Sequence, residues 1–240
     1  MSQPPHHDPA NGQDVAPDAP GTGRLPSELP LPFPLLIAHA PQRDRAWHKL
    51  CWRIDDLMAR TVLGAREGAM AAIRLAWWEE ALTGRHAAPN DPLLSEWLSY
   101  SPGAQASENV GRVAEAWRML LDPAPMSEGD WRSFGEARGR LFALISRSGE
   151  GNDALNEAGK LWALWDMARR DEDRVRGEGA FAAAIEAGAH VDPRRLTQVR
   201  PKPLMLAAGM ALDDVRDHHF PTAEFGLRQY LRLLRRAIFA

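Results

Sequence analysis

The sequence predicts an all-α protein. From Pro41 onward apolar residues recur at intervals of three and four, which is the spacing of one helix face. No alternating run of β-branched or aromatic residues is long enough for a strand. Ser127, Asn152 and Thr222 stand where helix N-caps belong, because their side chains accept hydrogen bonds from the free N–H groups of a first turn.

The first thirty residues differ in composition from the rest. They are dense in Pro, Gly, Asp and Gln, and their few large apolar residues cannot offset the entropy of ordering. We therefore expect residues 1–30 to be a disordered tail and residues 31–240 to be one helical domain. The tail has no signal-peptide pattern, and the apolar segment 31–40 is interrupted by prolines and too short for a membrane span.

Charge and cysteine content exclude several classes of protein. The 29 basic and 32 acidic side chains give a net charge of −3, so the overall positive field of a general nucleic-acid binder is absent. The single cysteine, Cys51, excludes an intramolecular disulfide framework and fits a reducing compartment, so we expect a cytoplasmic protein. Nine tryptophans stand against two tyrosines.

The spacing of apolar residues, together with the Pro and Gly residues that interrupt it, predicts nine helices along the chain. We expect them at 42–62, 66–82, 92–99, 108–121, 127–147, 152–174, 180–187, 203–218 and 222–239. The second presents an apolar set before a Thr-Gly stop, consisting of Met70, Ile73, Trp77 and Leu82.

The second helix also carries an arginine and two adjacent tryptophans. Arg74 and Trp78 lie four apart and share a face, whereas Trp77 points about one residue step away. Adjacent tryptophans on a helix cannot both face the same core. One of them therefore lines a groove, a second helix or a partner, or both are packing residues of a large bundle.

The first helix carries two adjacent carboxylates, Asp55 and Asp56, near Arg45 and Arg53. Carboxylates on a helix wall can hold Mg²⁺ against a substrate diphosphate, with arginines neutralising the remaining phosphate charge. Adjacent positions diverge by about 100° on a helix, however, so the pair cannot ligate from one face. A solvated charged face or a surface ion pair is the simpler expectation.

A second charged run lies at the end of the sixth helix. Asp166 lies four residues before Arg170 and most simply pairs with it, while Asp171 and Asp173 diverge around the helix. This pattern favours a solvated helix end over a ligand cluster. Trp162 and Trp165 accompany the run, and Trp165 is expected in the core.

The last helix is basic and amphipathic. It places four arginines on one side and apolar residues on the other, with Arg228, Arg232, Arg235 and Arg236 opposite Leu227, Tyr230, Leu231, Leu234 and Ile238. Cations near a helix C-terminus stabilise the helix through its dipole without any partner. A peripheral contact with an anionic membrane is the alternative.

The run REG at 66–68 followed by IRLAWWEEAL at 73–82 resembles a helix of squalene/phytoene synthase-like proteins. It is most similar to the divergent branch that includes a mitochondrial complex I assembly factor and its alphaproteobacterial relatives. LLIA at 35–38, AGKLWAL at 158–164 and RQYLRLLRRA at 228–237 follow in the same order. The resemblance covers about residues 33–240.

The resemblance implies an isoprenoid-synthase-type helical bundle around a central cavity. Catalytic members join two prenyl diphosphates head to head and hold Mg²⁺ on two Asp-x-x-x-Asp motifs. Here Asp55 is followed at the fourth position by Ala59, and Asp166 by Arg170, so each motif lacks one aspartate. The resemblance thus places metal and diphosphate candidates at Asp55, Asp56, Asp166, Asp171 and Asp173, and substrate-binding candidates at Arg45, Arg53, Arg74, Trp77, Trp78, Trp162 and Trp165.

Two functions follow from this resemblance. The incomplete motifs favour a pseudoenzyme that binds a prenyl or lipid ligand, or acts on a protein partner as an assembly factor. The alternative is an active, Mg²⁺-dependent prenyltransferase. The tryptophans would line an apolar tunnel or stabilise a carbocation.

Overall fold

The computed structural model describes residues 28–85, 91–148 and 152–239. Their α-helices are α1 (Phe33–Ala38), α2 (Arg45–Leu63), α3 (Gly68–Leu82), α4 (Pro92–Ser99), α5 (Ala104–Met119), α6 (Glu128–Ser146), α7 (Asp153–Arg170), α8 (Arg174–His190), α9 (Pro193–Leu196), α10 (Lys202–Arg216) and α11 (Leu227–Phe239). These residues contain no strand, so the all-α prediction is confirmed. The expected tail lies outside the described residues except for its last three positions.

Helix α7 is the central helix of the bundle. It packs on α6, α8 and α10, while α2 packs on α1, α3, α4, α5 and α6. Every residue from 161 to 169 is buried. Large aromatic side chains fill the space between α2, α6 and α7, since Trp162 contacts both Trp52 and Phe142 at ring-centroid distances of 4.9 and 5.4 Å.

Two glycines bring α6 and α7 into backbone contact. A Cβ added to Gly159 would lie 2.5 Å from the carbonyl oxygen of Gly139, and a Cβ at Gly139 would lie 2.8 Å from the amide nitrogen of Lys160. Both distances are below van der Waals contact. Only glycine at these positions allows the two helices to approach this closely.

Two of the three expected N-caps are confirmed. The Ser127 side chain accepts from the amide of Asp130, whose carboxylate accepts from the Ser127 amide in return, and this capping box starts α6. Asn152 accepts from the amide of Leu155 at the start of α7. Thr222 is not a cap, because its hydroxyl donates to the carbonyl of Glu224 and α11 begins only at Leu227.

The expected helices at 152–174 and 180–187 are divided differently in the structure. α7 ends at Arg170, and Asp173 starts α8 by accepting a hydrogen bond from the amide of Arg176. The acidic run therefore contains a helix break. A helix end was expected at this run, but it lies four residues earlier, and the N-cap function of Asp173 was not expected.

The apolar face expected for α3 is also wrong in part. Met70 and Ile73 are exposed, whereas Ala71, Leu75 and Trp78 are buried against the core. Leu82 is buried as expected. Because α3 is apolar on nearly every side, its periodicity did not decide which stripe faces inward.

Candidate functional site

Three aspartates from α2 and α7 meet at the centre of the bundle. Asp55 and Asp166 both accept hydrogen bonds from Nη2 of Arg138, at 2.8 and 2.5 Å. Asp56 joins them through Arg170, which donates to Asp56 at 2.9 Å and to Asp166 at 2.7 Å. The carboxylates that the sequence singled out on two separate helices therefore belong to one network.

Arg138 of α6 is the central cation of this network. Its side chain is fully buried, and its Nε also donates to Asp55 at 3.1 Å, which makes that pairing bidentate. Its Nη1 donates to the carbonyl of Ala163 at 2.9 Å. The guanidinium thus joins α6 to both α2 and α7, with every nitrogen engaged.

Asp166 accepts hydrogen bonds from three arginines. Besides Arg138 and Arg170, the neighbouring Arg169 donates to it at 2.8 Å and also reaches the carbonyl of Ala223 at 3.2 Å. Burial raises the pKa of the Asp166 carboxyl, but the charges of these three arginines hold it well below its ordinary value. The carboxylate therefore stays ionised.

Asp55 and Asp56 are buried, so the expectation of a solvated face is wrong for them. Asp55 also accepts from Nε1 of Trp117 at 2.9 Å, while Arg60 pairs with the second oxygen of Asp56. The two side chains diverge as helix geometry requires. Trp117 and Arg138 cover Asp55, and Arg170 covers Asp56, so both side chains are buried. No local pattern shows these partners, because they lie on other helices.

The guanidinium of Arg138 lies between two aromatic rings. Its central carbon is 4.4 Å from the ring centroid of Trp117 and 4.7 Å from that of Trp162. Burial lowers the pKa of this group, but Asp55 and Asp166 raise it by more, so it remains charged. The cation that these tryptophans stabilise is part of the protein itself.

The residues at this centre do not fit a magnesium–diphosphate site. All six oxygens of the three carboxylates already accept N–H groups. Four guanidiniums (Arg60, Arg138, Arg169 and Arg170) face three carboxylates, so the cluster carries one net positive charge, which opposes a divalent cation. Among the described residues no group of three or more His, Cys, Asp or Glu side chains is arranged to hold a metal ion.

The remaining acidic candidates lie outside the network. Asp171 forms an ion pair with Arg176 at 2.5 Å, and Asp173 caps α8. Both interactions are local to the turn between α7 and α8. The structure gives these two aspartates a role in ending one helix and beginning the next.

The arginine candidates on α2 also have structural partners. Arg45 donates to the carbonyls of Ala38, the last residue of α1, and of Ala40, and Arg53 pairs with Glu96 of α4 at 2.9 Å. Neither contacts the buried network. They fix neighbouring helices to α2.

The tryptophan candidates separate into two groups. Trp162 and Trp165 are buried on α7, where Trp165 donates to Asp214 of α10 at 3.0 Å. On α3, Trp78 is buried and packs edge to face with the half-buried Trp77, while Arg74 is exposed. The structure does not bring Arg74 into the network.

Sequence reasoning missed Arg138 and Trp117. A signal for Arg138 exists, because it lies on one helical stripe with Phe134, Leu141 and Ile145, all of which are buried. A charged residue on an apolar stripe indicates a buried ion pair. Trp117 carries no comparable signal, because a tryptophan on an apolar helix face is ordinarily a packing residue, and nothing local shows that its indole N–H donates to Asp55.

Comparison of the chain with protein-family models, with curated proteins and with solved structures finds no match. Within the described ranges, no helix is long and apolar enough to cross a membrane.

Proposed function

We propose that this chain is a catalytically degenerate squalene/phytoene synthase-like protein with an isoprenoid-synthase-type bundle. It acts by binding a prenyl or other lipid ligand, or a protein partner during assembly, and not by prenyl transfer. The observation that carries the proposal is the pairing of Asp55, Asp56 and Asp166 with arginines. A metal-dependent synthase needs the equivalent carboxylates free for Mg²⁺.

An exposed surface on α3 further supports a binding function. The sharpest part of the resemblance lies on α3, where Met70, Ile73 and Arg74 are exposed and Trp77 is half-buried. An apolar surface next to an unburied arginine is typical of interaction sites. The centre of the bundle, by contrast, is packed with aromatic side chains and buried ion pairs.

The second candidate function is active prenyl transfer. It is favoured by one observation, namely that Asp55 and Asp166 lie close enough to share a single nitrogen of Arg138. Before Mg²⁺ bound, Arg138 would have to leave both carboxylates. Its complete burial and its place between two indole rings oppose that movement.

A turnover assay separates the two candidates. Purified protein is incubated with farnesyl or geranylgeranyl diphosphate, with and without Mg²⁺, and released inorganic diphosphate is measured. The proposal predicts no Mg²⁺-dependent release above the protein-free control. Release that the Asp55→Asn substitution abolishes, in a variant of unchanged helical content, would establish the prenyltransferase instead.

A binding assay separates the two forms of the proposal. The buried tryptophans report on an apolar ligand in the bundle, so farnesol is titrated while tryptophan fluorescence is followed. Saturable quenching that does not depend on Mg²⁺ supports lipid binding. Absence of both quenching and turnover restricts the function to a protein partner.

A further inference from the structure

The C-terminal helix α11 has one face docked on the protein and another left open. Leu233 is buried, and Arg232 pairs with Asp214 and Asp217 of the α10 region at 2.7 and 2.9 Å. Arg236 pairs with Asp213 at 2.5 Å, and its side chain crosses α10 at Gly209. These contacts hold α11 against α10 with a defined orientation.

Docking divides the four arginines that the sequence grouped together. Arg232 and Arg236 face α10, whereas Arg228 and Arg235 are exposed and form no ion pair within the described part of the chain. At 100° per residue, Arg228 and Arg235 lie within about 20° of each other around the helix. They form one basic edge along its free side.

An apolar stripe lies beside this basic edge. Its five members follow a spacing of three and four along α11 and are 41% to 73% exposed, namely Leu227, Tyr230, Leu231, Leu234 and Ile238. The stripe spans about 100° of the helix circumference. Five large apolar side chains in one row on a folded surface indicate a contact with something else.

We infer that this face of α11 lies on an anionic membrane surface. An amphipathic helix binds there by inserting its apolar stripe at the boundary between headgroups and acyl chains, while its arginines contact lipid phosphates. The described part of α11 contains no acidic residue that would oppose this contact. The basic edge is local, since the whole chain carries a net charge of −3.

Charge also disfavours a second copy of the chain as the occupant. In a two-fold pairing of antiparallel α11 helices through the stripe, the edge with Arg228 and Arg235 faces the same edge of the other copy. That arrangement places like charges together. In a parallel pairing the partner helix offers the arginines no carboxylate either, whereas a phosphate surface neutralises them.

The inference does not depend on the proposed function and is tested by vesicle co-sedimentation of the full chain. We expect binding to phosphatidylcholine vesicles that contain phosphatidylglycerol, weak binding to pure phosphatidylcholine, and loss of binding at high salt. Arg228→Gln with Arg235→Gln should weaken binding at least about tenfold, because each basic residue near the surface raises the membrane affinity about fivefold. Leu231→Glu with Leu234→Glu should abolish it.

Matched controls exclude general effects of charge and apolarity. Arg112→Gln with Arg132→Gln removes two exposed arginines from α5 and α6, and Leu98→Glu with Val175→Glu alters two exposed apolar positions on α4 and α8. Both pairs should bind vesicles like the unmodified protein. No vesicle binding, or equal binding to both lipid compositions at all salt concentrations, would overturn the inference. The inference would also be overturned if the protein did not bind vesicles and instead formed a concentration-dependent dimer that the Leu231 and Leu234 substitutions abolish.

Discussion

Arg138 donates two hydrogen bonds to Asp55 across the interface of α6 and α2, at 3.1 and 2.8 Å, with both side chains fully buried. The same guanidinium extends to Asp166 on α7. A bidentate pair of this kind fixes the relative position of its helices. It also determines what the carboxylates are able to bind, because their oxygens are engaged.

Removing the arginine alone should destabilise the fold strongly. Arg138→Met leaves Asp55 buried without its cation, and we expect the free energy of unfolding to fall by about 3–5 kcal/mol. Denaturant unfolding followed by circular dichroism measures this. Arg132→Met on the same helix removes an exposed pair with Glu186 and should cost less than about 1 kcal/mol.

The double variant tests the pairing itself. In Arg138→Met with Asp55→Asn the buried charge is removed with its partner, so the combined loss should be smaller than the sum of the two single losses. Additive losses, or an Arg138→Met variant as stable as Arg132→Met, would show that the pair does not hold the helices.

The contact between α6 and α7 leaves no space for even one added methyl group at its glycines. Gly159→Ala places a Cβ against the carbonyl of Gly139 and should destabilise the protein by about 1–3 kcal/mol. Gly111→Ala, in the interior of α5, meets only the Thr83 methyl at 3.7 Å and should be neutral or stabilise by up to about 1 kcal/mol. Equal thermal midpoints for the two variants would contradict this packing.

Acidification should act through His48. Burial lowers the pKa of this imidazole from 6.5 to about 4, so below pH 6.5 the unfolded state takes up the proton more readily than the folded state. The free energy of unfolding is therefore highest above pH 6.5, and it falls by about 2 kcal/mol as the pH drops towards 4.

The matched variant His48→Gln isolates this effect from the titration of other groups. Its unfolding free energy should decline less than that of the unmodified protein between pH 6.5 and pH 4, in chemical denaturation series at fixed ionic strength. Parallel curves for the two proteins would mean that His48 does not contribute.

Local signals predicted much of the fold. The bounds of α4 and the caps at Ser127 and Asn152 depend on contacts within a few residues, so the sequence contains them. The inward face of α3 and the start of α8 at Arg174 were not predicted. Both are decided by neighbouring helices or by one N-cap within a charged run.

The sequence predicted the carboxylates of the candidate site but not the arginine at its centre. Asp55, Asp56 and Asp166 are visible as acidic residues on helices, and the pairing of Asp166 with Arg170 within α7 follows from a spacing of four. Their convergence depends on tertiary contacts more than eighty positions apart, such as Arg138 with Asp55. No local pattern specifies Arg138 as the cation that pairs with Asp55 and Asp166.

The central claim is that arginines, and not a metal, satisfy these carboxylates. Binding of Mn²⁺, a paramagnetic substitute for Mg²⁺, tests it most directly when followed by electron paramagnetic resonance with and without inorganic diphosphate. The account predicts no stoichiometric site, and equal weak binding in the unmodified protein and in Asp55→Asn. One tightly bound Mn²⁺ per chain that disappears in an Asp55→Asn variant of unchanged helical content would contradict it.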